Sequence, residues 1–131
     1  MTTDSRDMRT PLNRVRGLGS ARAGTGQFWH QRLTAVAGVL LTVAFFVIVF
    51  AVMGRSHAGT VQILGSPLVA IVLLLFVLNM VYHMWIGMQE IVIDYVHHEI
   101  GKLALLMGNT FFCIVIGFAC AYALLKLSFG V

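Results

Sequence analysis

Charged residues are scarce in this sequence. Of its 131 residues, 11% are charged and 59% are hydrophobic, whereas an average soluble domain is about 25% charged. So few charges cannot cover a water-facing surface, which excludes an ordinary soluble domain. Two cysteines exclude a disulfide scaffold. The length leaves room for one small domain and excludes a multidomain enzyme. The composition is that of a membrane protein.

Three long stretches contain no Asp, Glu, Lys or Arg: residues 33–53, 56–89 and 103–125. A helix crosses a hydrocarbon core of about 30 Å in about 20 residues, so each stretch is long enough to span once. Such uniformly apolar segments do not fit the alternating strands of a membrane barrel. Ser66 followed by Pro67 is a typical helix start. The sequence therefore predicts an all-α membrane protein with three transmembrane helices, at about 30–53, 67–93 and 103–126.

Basic residues are concentrated near the N-terminus. Six of the nine Lys and Arg residues lie at or before Arg32. Since positive charge near span ends stays on the cytoplasmic side, we expect a cytoplasmic N-terminus, an external loop at Arg55, a cytoplasmic loop after Asp94 and an external C-terminus. Residues 1–27 are expected to be a retained basic segment, ordered only against a partner, ahead of an anchor domain at 28–131. The net charge of +4 fits this rule and contact with membrane lipid, and it requires no nucleic-acid partner.

The second span carries a stripe of polar residues on one helix face. Ionisable groups in a span usually face a protein interior, a cofactor or a water path. His83 lies 11 residues before Asp94, roughly 16 Å deeper and near the middle of the bilayer. At about 100° per residue, five residues share this face: Asn79, His83, Gly87, Glu90 and Asp94.

Three roles are open for His83 at this point: a structural hydrogen bond to a neighbouring helix, a metal or haem ligand, or a proton relay. Gly87, one turn away, would either admit a planar ligand close to the helix or serve close helix packing. The remaining histidines are expected near the membrane faces or in loops, so a second axial ligand for a haem would come from another chain. These histidines are His30, His57, His97 and His98.

Several other residues are interpreted as packing residues. Thr34, Gly38 and Thr42 place small side chains at every fourth position of the first span, a spacing suited to close helix contacts. Cys113 and Cys120 lie seven residues apart in the third span and lack the C-x-x-C spacing of redox and metal sites.

Two parts of the sequence resemble a known family. The run from His83 to Tyr95, HMWIGMQEIVIDY, resembles the His, Gly, Asp-Tyr signature of the D-type hydrophobic membrane anchor subunits of succinate dehydrogenase, respiratory complex II. Residues 11–21 and 29–36 resemble the segment that precedes and opens the first span in bacterial members. The resemblance covers residues 11–102 by motif and the third span by hydropathy alone.

The resemblance implies roles for four residues. His83 would be an axial ligand to the iron of haem b, with the opposite ligand supplied by the cytochrome b556 subunit. Tyr95 would hydrogen-bond a ubiquinone carbonyl, although an interfacial aromatic anchor is its ordinary interpretation. Arg32 would lie near the haem propionates or the quinone, or would only mark topology. Asp94 would lie near the quinone, or would only be solvated.

The resemblance also implies an assembly. The chain would be the membrane anchor of a succinate:ubiquinone oxidoreductase in a bacterial inner membrane, inactive alone. Its partners would be the cytochrome b556, iron-sulfur and flavoprotein subunits, with FAD and the iron-sulfur clusters only in those partners. Two alternatives are kept. One is a non-redox scaffold or small transport subunit, in which the polar stripe binds a partner helix or conducts protons. The other is the anchor of a fumarate reductase, which uses similar helices.

Overall fold

The computed structural model describes residues 21–130, together with Thr10 and Leu12. Most of the expected basic segment 1–27, and most of the family resemblance over 11–21, therefore lies outside the described residues. Residues 21–130 fold into four helices joined by short connections. We number them α1 (Ala21–Val52), α2 (His57–Leu64), α3 (Pro67–Tyr95) and α4 (Glu99–Phe129).

Three helices within the described residues are long and apolar enough to cross a membrane. They have 28, 29 and 31 residues and are Thr25–Val52, Pro67–Tyr95 and Glu99–Phe129. This result confirms the predicted all-α class with three transmembrane helices. The helices are longer than the predicted spans, most clearly α1, which begins at Ala21. Hydropathy marks only the apolar turns of a helix, whereas its backbone hydrogen bonds continue into the polar turns at each end.

The connection between the first two spans is itself partly helical. The hydroxyl of Ser56 accepts a hydrogen bond from the amide of Gly59 at 3.4 Å and caps α2. Helix α2 is followed by its C-cap, Gly65, where an added Cβ would lie 2.9 Å from the carbonyl oxygen of Val61 and 3.0 Å from that of Leu127. Glycine at this position therefore allows the end of α2 to lie directly against the last turn of α4.

Helix α3 is the central helix of the fold. It packs against α1 on one side and against α4 on the other. Because α1 and α3 run in opposite directions, the first half of α1 lies beside the second half of α3. Few residues are buried within the chain, and most large apolar side chains are exposed. Apolar surface on this scale requires lipid or other membrane helices as neighbours. Among the described residues, the buried ones are Thr34, Gly38, Leu73, Ile86, Val92 and Cys113.

Candidate functional site

His83 contacts a polar residue of the neighbouring helix. Its side chain is half-buried, and its Nδ1 atom lies 2.8 Å from the hydroxyl oxygen of Thr34 on α1. Thr34 is itself buried, with 9% of its surface exposed. The hydrogen bond to a neighbouring helix, one of the three roles open from the sequence, is therefore present. Because Nδ1 makes this contact, the Nε2 atom of the ring is left to bind another group.

The backbone of α1 determines how this pair shares its protons. The Thr34 hydroxyl oxygen lies 2.8 Å from the carbonyl oxygen of His30 and 3.1 Å from that of Gln31. A hydroxyl has one proton to donate and two lone pairs to accept with. When that proton is directed at a backbone carbonyl, the Thr34 oxygen accepts from Nδ1–H of His83. Nε2 of this tautomer keeps a free lone pair, as a metal ligand requires.

A groove on the outer surface of the helices runs beside this pair. Its volume is about 530 Å³, and its lining is almost entirely apolar. Small side chains on α1 leave room beside the imidazole, and this room is what a flat macrocycle bound through a histidine needs. The imidazole of His83 and the room beside it are therefore compatible with holding a haem. The groove is lined by Thr34, Ala35, Gly38, Val39, Thr42, Val43, Phe46, Met80 and His83.

Asn79 holds the same interface one turn away from His83. Its Nδ2 atom donates to the carbonyl oxygen of Thr34 at 3.0 Å. Gly38 allows the close approach, because an added Cβ would lie 3.2 Å from Asn79 Nδ2 and 3.2 Å from Met80 Cε. Two members of the polar stripe thus bind α1 through one threonine, so this part of the stripe faces protein, whereas Glu90 and Asp94 are exposed within this chain.

Gly87 also faces α1. A Cβ added to Gly87 would lie 3.4 Å from Nε2 of Gln31, an ordinary van der Waals distance. This contact supports close helix packing, one of the two interpretations left open for this glycine.

Helix α4 is attached to the opposite side of α3 by a second polar cluster. The indole Nε1 of Trp85 donates to the hydroxyl of Thr110 at 3.1 Å, and Nδ2 of Asn109 donates to the Trp85 carbonyl oxygen at 3.0 Å. Asn109 also accepts from the thiol of Cys113 at 3.5 Å. Cys113 is therefore a packing residue, as the sequence predicts, and Trp85 joins α3 to α4 in the same cluster.

The other three residues singled out by sequence are exposed: Tyr95 and Asp94 at the end of α3, and Arg32 two residues before Thr34 on α1. Tyr95 is the last residue of α3 and is 77% exposed. Asp94 is exposed beside it, and the Arg32 guanidinium lies 4.2 Å from the centre of the Phe28 ring. None of the three makes a side-chain hydrogen bond or ion pair within the described part of the chain. Their expected roles toward haem and quinone stay predictions.

Sequence reasoning assigned Thr34 to packing and missed its contact with His83. It also missed Gln27 and Gln31, whose side chains turn inward on α1. A signal was present, because the polar residues at 27, 31 and 34 are spaced by four and then three positions, which places them on one face of a helix. Among the described residues, no three His, Cys, Asp or Glu side chains come together.

The fold and the site together define a class of protein. It is a small multi-pass membrane subunit that holds one oriented imidazole inside the membrane and leaves most of its apolar surface for lipid and partner helices. A sequence model of the succinate dehydrogenase/fumarate reductase transmembrane subunit family matches residues 6–121. The chain therefore belongs to this family and is a membrane anchor subunit within it.

Curated relatives agree with this assignment. The chain is 32% identical over 121 residues to the succinate dehydrogenase hydrophobic membrane anchor subunit of Paracoccus denitrificans, an alignment covering 92% of this chain and 93% of that protein. It is 28% identical over 92 residues to the subunit of the same name from Rickettsia bellii, covering 69% of this chain and 72% of that protein. The Rickettsia conorii subunit is 25% identical over 112 residues, covering 83% and 87%. No solved structure matches the chain at a significant level.

Proposed function

We propose that this chain is the D-type membrane anchor of a succinate:ubiquinone oxidoreductase, sharing haem b with a cytochrome b556 subunit and completing the ubiquinone reduction site. The observation that carries the proposal is the hydrogen bond between Thr34 and His83, 2.8 Å long and within the span. It orients an imidazole beside a groove, with Nε2 available. Family membership supplies the assembly in which such an imidazole is useful.

His83 is the residue of this chain that would hold haem b. Thr34 would keep the ring in one orientation and one tautomer, which is how a second residue ordinarily tunes a metal-bound histidine. The small side chains along α1 would border the macrocycle. When bound, the haem would accept and return single electrons. Arg32 is exposed on the first half of α1 and would supply a cation for its propionates or for the quinone site.

Tyr95 would act at the quinone. It ends α3, and its exposed phenol is free to meet a ligand or a partner subunit. A phenol donates a hydrogen bond to a quinone carbonyl, and this bond strengthens as negative charge develops on the oxygen during reduction. Asp94 would lie close enough to the same site to help orient it or to deliver protons. Ubiquinone takes up two electrons and two protons in the complete reaction.

The flavoprotein and iron-sulfur subunits would bind at the cytoplasmic face, where the distribution of basic residues would put the N-terminus and the α3–α4 connection. Succinate would be oxidised on the flavin of the partner, and electrons would pass through iron-sulfur clusters to ubiquinone. This chain would contribute binding, orientation and electrostatics around cofactors rather than a reaction of its own. The similarity to subunits of Paracoccus and Rickettsia supports a bacterial inner membrane as the location.

The proposal is tested by purifying the complex in mild detergent through a tag on this chain. We expect a b-type band in the dithionite-reduced minus oxidised absorption spectrum, together with flavoprotein and iron-sulfur partners. If the same partners co-purify without haem, the anchor role stands, but His83 is not a haem ligand. If neither the partners nor haem co-purify with this chain, the proposal is wrong, and the chain is a scaffold or transport subunit instead. Fumarate reduction with a low-potential quinol as the preferred donor would instead indicate a fumarate reductase anchor.

A further inference from the structure

A small chamber lies between α1 and α3, on the N-terminal side of Thr34. Its volume is about 190 Å³. It is separate from the groove beside His83, and its walls carry more polar groups. The two rings of His30 and Tyr82 meet edge to face in its wall, with centres 5.9 Å apart. The lining residues are Gln27, His30, Tyr82, Trp85, Ile86 and Gln89.

Two amide atoms at this interface lack hydrogen-bond partners. Nε2 of Gln27 and Oε1 of Gln31 are buried, and neither has a partner within the described residues. The two glutamines lie four positions apart on α1 and therefore on the same face. A buried polar atom left unpaired is strongly destabilising, and native proteins satisfy most such atoms with protein or with ordered water.

The chemistry of these two atoms selects their ligand. Gln27 Nε2 is a donor and requires an acceptor, whereas Gln31 Oε1 is an acceptor and requires a donor. A quinone carbonyl or a carboxylate accepts only and would leave Gln31 unsatisfied, and an acyl chain would satisfy neither amide. Water both accepts and donates. The chamber is also large enough for several water molecules, whose share of liquid volume is about 30 Å³ each.

We propose that this chamber binds a cluster of ordered water that satisfies Gln27, which lines it, and that the cluster extends along α1 to Oε1 of Gln31, one helical turn nearer Thr34. Gln31 lies three residues from Thr34, roughly 4.5 Å along the helix axis, and its carbonyl oxygen lies 3.1 Å from the Thr34 hydroxyl. The water therefore reaches within one helical turn of the Thr34–His83 pair. The proposal does not depend on the haem or quinone assignments.

The direct test is a structure of the assembled complex at a resolution that shows ordered water. We expect density for water within hydrogen-bonding distance of Gln27 Nε2 and of Gln31 Oε1. A quinone ring, a partner's side chain or a lipid chain in the chamber would overturn the proposal, as would amides that pair with each other without water.

Substitutions to methionine provide a second measurement on the same complex. Methionine is close to glutamine in shape but cannot hydrogen-bond as an amide does. If water satisfies the amides, Gln27→Met and Gln31→Met each remove satisfied hydrogen bonds, and the midpoint temperature of unfolding should fall. If no water binds the amides, methionine removes the cost of burying an unpaired polar group, and the midpoint temperature should stay the same or rise. Gln62→Met is the matched control, because Gln62 is exposed on α2.

Discussion

The hydroxyl of Thr34 and Nδ1 of His83 lie 2.8 Å apart across the interface of α1 and α3, joining residues 49 positions apart in the chain. Because of this contact, the position of His83 depends on how the two helices pack against each other. It also fixes the ring, because a histidine held at Nδ1 can rotate little without losing its partner. The two residues form one unit, in which α3 supplies the ligand atom and α1 supplies its orientation.

Removing the hydroxyl of Thr34 is expected to disturb His83 without removing it. Thr34→Val keeps the shape of the side chain but loses the hydrogen bond, so we expect about a 10-fold or greater loss of haem retention, or a shifted haem midpoint potential. Redox titration of the purified complex followed by absorbance measures both. Thr34→Ser restores a hydroxyl and should stay close to the unsubstituted complex. Equal effects of Val and Ser would show that side-chain volume, not the hydrogen bond, is what matters.

Replacing His83 with a residue that cannot bind iron should abolish the low-spin b-type spectrum attributed to this chain. The measurement is the reduced minus oxidised spectrum of His83→Ala in the assembled complex, normalised to flavin content. His57→Ala is the control, because His57 starts α2, outside the spans. An unchanged spectrum in His83→Ala would exclude this residue as an axial ligand and leave it the structural role toward Thr34.

Tyr95→Phe should weaken quinone reduction selectively. A hydrogen bond to developing charge contributes about 1.5–3 kcal/mol, so its loss should slow succinate:ubiquinone reductase activity roughly 10-fold or more. Succinate oxidation by a soluble artificial acceptor should be unaffected, since the flavin lies in a partner. Tyr122→Phe, on the exposed surface of α4, is the control for loss of a phenol. Parallel losses in both assays would indicate faulty assembly instead.

Gly65→Ala tests the contact between α2 and α4. The new Cβ would lie 3.0 Å from the backbone oxygen of Leu127, and backbone cannot move as a flexible side chain does. We expect a loss of about 1–3 kcal/mol in the free energy of unfolding, seen as a lower midpoint in a thermal unfolding scan of the complex. Gly108→Ala should be neutral or stabilising, because none of the residues that the structure describes lies within 4 Å of its added Cβ. A midpoint unchanged in Gly65→Ala would show that the helices separate easily here.

The spans could be predicted because hydropathy depends only on local sequence. The charge-free run after Pro67 and the polar residues from Asp94 onward mark both ends of α3 to within a few residues. Helix α2 could not be predicted in the same way, because its eight residues carry no long apolar run. It depends on the Ser56 cap and on space at Gly65 against α4.

The sequence by itself determined membrane residence, the number and places of the spans, and the depth of His83 within the second. Each of these follows from the energy of placing single residues in hydrocarbon. Only the tertiary structure decided that Thr34 is the partner of His83, and that Gln27 and Gln31 turn toward the buried face of α1. These pairings depend on the rotation and register of one helix against another. Both are set by many small packing contacts, such as those at Gly38, and not by any local run of residues.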